Sequence, residues 1–243
     1  MSQVIKLKHL IFAALSLFNL RRWGVISEIY SLTKFDSPFS VSFAQGGEDL
    51  ALISFEPKTK GFYLDIGAHH PNRFSVTRLL YDKGWSGINV DANPDIAPDF
   101  RKWRPRDTFL NFAVGERSEY VFTRFEESAI STTNLKWKNK FQAEGNLILD
   151  EITVPGITLK NLLEKVPIGT KLDLINLDIE GGDVEALSSL LDLDFNLEKL
   201  PKWFLIETPI GLESVIDSEQ VKILTKLGYR IKCILPMSTL LGR

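Results

Sequence analysis

Gly61-Phe62-Tyr63-Leu64-Asp65-Ile66-Gly67-Ala68 is a run of apolar, β-favouring residues broken by one acid and closed by a glycine. A continuous run of this kind suits a strand buried on both faces, as in a parallel sheet. Residues 76–83 follow at helical spacing and stop at Gly84, and Ser86-Gly87-Ile88-Asn89-Val90-Asp91 is then a second strand ending in an acid. Working outward, the same rhythm predicts helices over 96–103, 183–191 and 218–227. It predicts strands over 108–114, 172–178, 203–207 and 229–235, with a short last one over 238–241. Strands alternating with helices imply βαβ units, hence an α/β fold with a mostly parallel sheet and helices on both faces. One connection breaks the rhythm. About residues 115–170 separate the third strand from the fourth, a length that commonly forms a lid or binding loop.

The 243 residues carry 29 Lys+Arg against 31 Asp+Glu, a formal net charge of −2. That balance excludes a strongly basic nucleic-acid binder, so no nucleic-acid partner is expected. The single cysteine, Cys233, excludes an internal disulfide framework or a Cys-rich zinc module. Five Trp and 16 Phe are more apolar anchors than a disordered chain carries. The expectation is a globular, cytoplasmic protein with one oddity at its start. Residues 10–20 (LIFAALSLFNL) are uncharged, between Lys6 and Lys8 on one side and Arg21 and Arg22 on the other. The stretch is shorter than the ~20 residues a membrane span needs. Arg21-Arg22-Trp23 stand where a signal peptide would have small cleavage residues. Leu7, Leu10, Ile11, Ala14, Leu15 and Phe18 share one helical face. Residues 7–20 therefore read as a helix that either meets an anionic membrane or a partner, or packs on the protein's own core. The chain divides into a helical extension over 1–42 and a catalytic domain over 43–243, with oligomeric state open.

In open α/β sheets, ligands bind outside the carboxyl ends of the strands. Acids recur at those ends here: Asp65, Asp91, Asp178 with Glu180, and Glu207. One acid after a strand is commonly a helix cap, but a recurrent set marks a site. Asp91 is placed to accept hydrogen bonds from both ribose hydroxyls of a nucleoside. The loop Gly67-Ala68-His69-His70-Pro71-Asn72 has one glycine, two imidazoles and a proline where a dinucleotide site has G-x-G-x-x-G. That loop gives a pyrophosphate poor backbone access, which favours the phosphate-free cofactor S-adenosylmethionine over NAD.

These segments are joined by Phe43-Ala44-Gln45-Gly46-Gly47-Glu48-Asp49, Gly84-Trp85-Ser86-Gly87-Ile88-Asn89-Val90-Asp91-Ala92-Asn93-Pro94, Arg104-Pro105-Arg106-Asp107, Ala129-Ile130-Ser131-Thr132 and Leu177-Asp178-Ile179-Glu180-Gly181. Together they resemble the FkbM-type S-adenosylmethionine-dependent methyltransferases over roughly residues 43–241. The resemblance implies a Rossmann-like class I methyltransferase fold with a seven-stranded sheet. It also implies O-methylation of a hydroxyl on a sugar, glycan or secondary metabolite. Gly182 departs from the pattern, where the family often has a larger residue. By motif, Asp65, Gly67 and Ala68 should line the methionine and ribose side of the cofactor, and Asp91 should hold the ribose hydroxyls. Ala92 or Asn93 should border the adenine, and Asn111-Phe112-Ala113-Val114 should flank its ring. The segment Gln45-Gly46-Gly47-Glu48-Asp49 either folds over the cofactor or is a helix N-terminus whose acids suit the dipole.

Methyl transfer to a hydroxyl needs alignment of three reacting atoms and a base for the departing proton. Glu180, Asp178 and His70 are the expected catalytic groups, with His69 beside them; either histidine could instead cap a turn. Ser131, Thr132 and Glu207 are the expected acceptor ligands, although loop hydroxyls also make local turns. Trp137 among Lys136, Lys138 and Lys140 reads either as a sugar-stacking edge or as a packed Trp in a solvated basic stretch. The acids would also suit a divalent cation such as magnesium. Two rival functions stand beside this one: an NAD-type oxidoreductase on a similar sheet, and a non-catalytic module with a degenerate cofactor site.

Overall fold

Continuous apolar runs need cover on both faces, and the structure supplies it. The structure is a computed structural model that describes residues 41–191 and 196–243. The helix predicted over 7–20 lies outside the described residues. In chain order the elements are α1 (Glu48–Phe55), β1 (Phe62–Ile66), α2 (Arg78–Asp82), β2 (Ser86–Asp91), α3 (Ala97–Trp103), β3 (Thr108–Asn111), β4 (Ala113–Val114), β5 (Glu119–Phe125), α4 (Leu135–Ala143) and β6 (Ile148–Ile157). They continue as α5 (Leu159–Leu163), β7 (Leu174–Leu177), α6 (Asp183–Ser188), β8 (Trp203–Glu207), α7 (Leu212–Asp217), α8 (Glu219–Lys226), β9 (Arg230–Ile234) and β10 (Ser238–Gly242).

Seven strands form one sheet in the order β3-β2-β1-β7-β8-β10-β9. β1 runs parallel to β2 and β7, β2 to β3, and β7 to β8, whereas β10 is antiparallel to both β8 and β9. The α/β class and the mostly parallel seven-stranded sheet are therefore present. The chain runs outward from β1 to β2 and β3, then returns to lay β7 on the other side of β1. That reversal of direction opens a crevice at the carboxyl ends of β1 and β7.

Successive residues of a strand face opposite sides, and β1 shows what each side holds. Leu64 and Ile66 join a core with Leu162 of α5, Leu187 of α6 and Leu224 of α8. Tyr63 packs on the other side with Leu52 of α1, Leu80 of α2 and Trp85. Asp65 shares that second side, where a buried polar network lies. Arg104 is 1% exposed and donates to the Asp107 carboxylate at 2.9 Å, to Tyr63 Oη at 2.7 Å and to Thr77 Oγ1 at 2.8 Å. Asp107 also accepts the Tyr63 hydroxyl of β1 and the Gly87 N–H and Asn89 Nδ2 of β2, tying the two strands together. A buried ion pair is tolerable when its remaining donors and acceptors are satisfied, which accounts for the Arg104-Pro105-Arg106-Asp107 motif.

The strand predicted over 108–114 is a correction: it breaks at Phe112. β3 stays in the main sheet, while β4 leaves it to pair with β6 in a second sheet of order β4-β6-β5. The long insertion thus has its own scaffold, an antiparallel β5–β6 pair with α4 between the strands. Phe125 of β5 meets Phe141 of α4 edge-on at 5.9 Å. Among the described residues, no helix is long and apolar enough to cross a membrane.

Candidate active site

The crevice between β1 and β7 holds a cavity of about 420 Å³. Gly67 and His69 line it from the end of β1, Asp91 and Ala92 from β2, and Ala113 from β4. Asp178 and Glu180 enter from the turn after β7, Glu207 from β8, and Ser131, Thr132, Trp137 and Lys140 from the insertion.

One half of the cavity combines a glycine turn and two alanines with the aromatic wall of Phe112. Gly67 has φ +80°, and a Cβ there would stand 1.6 Å from the Asp178 carbonyl oxygen, so a side chain would push the β1 and β7 ends apart. Asp91 Oδ2 accepts the His69 N–H and Oδ1 accepts the Asn93 N–H, both at 2.8 Å. These bonds fix the carboxylate and leave each oxygen a second lone pair. Burial pushes Asp91 up to about 6, against the pull of those two N–H groups. Ala92 and Ala113 keep the adjoining walls thin. An anchored carboxylate beside a glycine turn, two alanines and an aromatic wall fits a nucleoside.

Three residues expected against the cofactor stand behind this wall instead. The Asp65 oxygens accept Thr77 Oγ1 and Asn176 Nδ2, so the carboxylate is spent in the core. Ala68 is 3% exposed, and its N–H donates to the Val90 carbonyl, as does that of Gly67. Asn111 Nδ2 donates to the carbonyls of Asp91 and Ala92 at 2.9 Å, fixing the end of β2. None of the three lines the cavity.

The other half is acidic. No side chain among the described residues hydrogen-bonds the carboxyls of Asp178, Glu180 or Glu207, and all three face the cavity. Glu180 is pushed up to about 8, first by burial and then by the charges of Asp178 and Asp183, with Lys140 opposing. Glu207 is pushed up to about 7 by burial and by Glu180 and Asp183. Asp178 is open to cavity water, yet protein rings it. Desolvation, then the charges of Glu207 and Asp183, hold it well above the usual carboxylate range. Asp183, not among the site residues expected from sequence, is 2% exposed, accepts the Ile179 N–H at 3.3 Å and is pushed up to about 6, chiefly by burial. Its signal was an acid opening the helix after an acid-bearing strand end. Among the described residues, no group of three or more His, Cys, Asp or Glu is arranged to hold a metal ion.

The histidines separate, and this corrects the expectation for His70. Its Nδ1 accepts the N–H groups of Asn72 and Arg73 at 3.0 Å, so it caps the turn and does not line the cavity. His69 takes the cavity position, with Nε2 2.9 Å from Ser128 Oγ. Burial and the nearby Arg73 charge lower it to about 4, so it is neutral at physiological pH. Thr132 lines the cavity, but its hydroxyl donates to the Glu180 carbonyl at 2.9 Å and accepts the Asn134 N–H. Ser131 Oγ accepts the Phe125 N–H at 3.1 Å and donates to no described residue. Trp137 packs against Gly181, carries Lys140 Nζ 4.1 Å from its ring centroid, and lines the cavity. Of Gln45-Gly46-Gly47-Glu48-Asp49, Gln45 reaches the cavity, while Glu48 and Asp49 bond backbone N–H groups of their own turn.

The family model described as "Methyltransferase FkbM domain" matches residues 65–231. No curated protein matches the chain. Solved structures similar to it include a TehB-like SAM-dependent methyltransferase from Corynebacterium glutamicum, at 12% identity over 95% of this chain and 99% of that one, TM-score 0.43. A precorrin-6y C5,15-methyltransferase from Geobacter metallireducens is similar at 12% identity over 86% and 95%, TM-score 0.45. An O-methyltransferase from Bacillus cereus in complex with SAH is similar at 10% identity over 95% of each chain, TM-score 0.39.

Proposed function

The chain belongs to the FkbM methyltransferase family, and from that premise we propose that it transfers a methyl group from S-adenosylmethionine to a hydroxyl of a sugar, glycan or other small metabolite. The observation that carries the hydroxyl reading is the pair Glu180 and Glu207, two cavity-facing carboxyls without protein partners that titrate near neutral pH. A hydroxyl is a weak nucleophile and must lose its proton as it attacks, and a general base works best when its pKa lies near the working pH. With Glu180 pushed up to about 8 and Glu207 to about 7, both exchange protons close to neutral pH, and the ionised fraction of either can accept the hydroxyl proton.

S-adenosylmethionine, when bound, supplies an electrophilic methyl group on a sulfonium. Asp91 would hold the ribose hydroxyls through its two remaining lone pairs, and Ala92, Ala113 and Gly67 would border the nucleoside. Ser131 has a hydroxyl hydrogen to offer the acceptor, and His69 presents a neutral imidazole at the cavity wall. Fixing the acceptor hydroxyl against Glu180 and Glu207 is a positioning contribution that rigid, desolvated surroundings favour.

Calorimetry with S-adenosylmethionine, S-adenosylhomocysteine and NAD tests the cofactor half, with binding expected for the first two and none for NAD. Label transfer from S-adenosylmethionine into a cell extract tests the acid half. Glu180→Gln should slow transfer by roughly 10²–10⁴-fold, the usual range for a general base, while S-adenosylhomocysteine affinity changes little. Equal losses of transfer and affinity would place Glu180 in the cofactor site and overturn this role.

A further inference from the structure

Among the described residues, three that are not glycine have φ in the left-handed region: His69 at +50°, Phe74 at +54° and Glu180 at +50°. All three line the cavity. A side chain held in that region is strained, and it persists only where the surroundings over-determine it. At Glu180 the next residue is also left-handed, Gly181 at +94°, so the turn after β7 reverses sharply.

The turn is gripped from two sides. From α6, the Asp183 carboxylate accepts the Ile179 N–H at 3.3 Å. From the insertion, Thr132 Oγ1 donates to the Glu180 carbonyl and Asn134 Nδ2 donates to the Gly181 carbonyl, each at 2.9 Å. The two bonds from the insertion are linked, because Thr132 Oγ1 also accepts the Asn134 N–H at 2.9 Å. Asn134 in turn caps α4 through Oδ1, accepting the Lys136 N–H at 2.9 Å. The first turn of α4 brings Trp137 down on Gly181, where a Cβ would lie 1.9 Å from the indole Cδ1. Thr132 is 2% exposed, so its bonds are shielded from competing water.

We propose that Thr132 and Asn134 are positioning residues: they clamp the left-handed Glu180–Gly181 turn from the insertion and thereby aim the Glu180 carboxyl into the cavity. The inference rests on the reading of Glu180 as a proton acceptor, and it gives the insertion a purpose beyond covering the cavity. A helix cap on α4 and the direction of a carboxyl after β7 are set by the same two side chains.

The test follows the Glu180 carboxyl itself, by ¹³C NMR titration of protein labelled at glutamate, assigned with Glu180→Gln. The groups facing Glu180 are Asp178, Asp183, Glu207 and Lys140, and none is altered by the variants. Thr132→Val removes the hydroxyl at nearly constant volume, and Thr132→Ser retains it. Asn134→Ser keeps a capping oxygen for α4 but, one atom shorter, lacks the Nδ2 that reaches the Gly181 carbonyl. Thr132→Val and Asn134→Ser should each lower the proton affinity of Glu180 by about tenfold or more, as the carboxyl swings toward water. Thr132→Ser should titrate with the wild type. A wild-type titration in Thr132→Val and Asn134→Ser overturns the clamp, as does a Thr132→Ser curve that follows the valine variant. If Thr132→Val fails to fold, the Asn134→Ser and Thr132→Ser pair decides alone. The titration uses neither acceptor nor cofactor. Continued methyl transfer by Glu180→Gln would therefore refute the catalytic reading and leave the clamp standing.

Discussion

Glu180→Gln has a consequence for stability that can be worked from the carboxyl's surroundings. In the folded chain Glu180 titrates near 8, against an ordinary value of 4.5. Between those two values the folded chain keeps a proton that the unfolded chain has released. Stability from this group is therefore fully present below about pH 4.5 and is lost as the pH rises through about 8. The limiting slope is about 1.4 kcal/mol per pH unit. Water in the cavity screens the group, which brings the whole effect to an order of 1–3 kcal/mol. Glutamine resembles the protonated acid in shape and charge and has no such loss. By differential scanning fluorimetry of the ligand-free protein, the variant should melt with the wild type at pH 5. It should melt higher at pH 8.5, by roughly 2–4 °C for each kcal/mol. Asp91, Glu207 and Asp178 titrate in both proteins, so the difference between the two curves isolates Glu180 and its coupling to its neighbours. Parallel melting curves across the whole range would refute the reasoning.

Three further outcomes follow from the geometry. Gly67→Ala puts a Cβ 1.6 Å from the Asp178 carbonyl at a φ of +80°; it should cost on the order of 3 kcal/mol in urea unfolding and abolish S-adenosylhomocysteine binding by calorimetry. Arg104→Met strips the partner from the buried Asp107 carboxylate and should destabilise the fold by about 3–5 kcal/mol, read by the same denaturation. Asp91→Asn keeps one acceptor oxygen but places an amide against the His69 or Asn93 N–H; S-adenosylhomocysteine affinity should fall by about tenfold or more while the melting temperature without ligand moves far less.

Much of this architecture is written in the chain because strands buried on both faces cannot hide their pattern. The runs through Leu64, Ile88, Ile175 and Leu205 are dominated by apolar, β-favouring residues with an isolated polar residue in the first three, and each became a strand of the main sheet. The acids after them placed Asp91, Asp178, Glu180 and Glu207 at one cavity. Asp65 shows what pattern alone leaves out. It has the same parity as Tyr63, so the pleat turns it sideways into the Arg104 network and away from the cavity, a consequence of period two that residue type alone does not reveal. The break at Phe112 depends on which sheet Ala113 and Val114 join, and their partner, Gly156-Ile157, lies at the far end of the insertion. His69, held at a left-handed φ of +50°, takes the cavity position, while His70 spends its Nδ1 on the backbone of the following turn. Thr132 spends its hydroxyl on a carbonyl 48 residues away, a contact that local sequence does not encode.

Transfer of a methyl group to oxygen is read most directly with S-adenosylmethionine carrying a deuterated methyl group. Purified protein is incubated with it and an extract of cells lacking the gene, and products are read by high-resolution mass spectrometry with fragmentation. The expected result is a labelled product with the methyl group on a hydroxyl oxygen, formed by the wild type and strongly reduced with Glu180→Gln. Label on nitrogen or carbon, or equal labelling by Glu180→Gln, would contradict it.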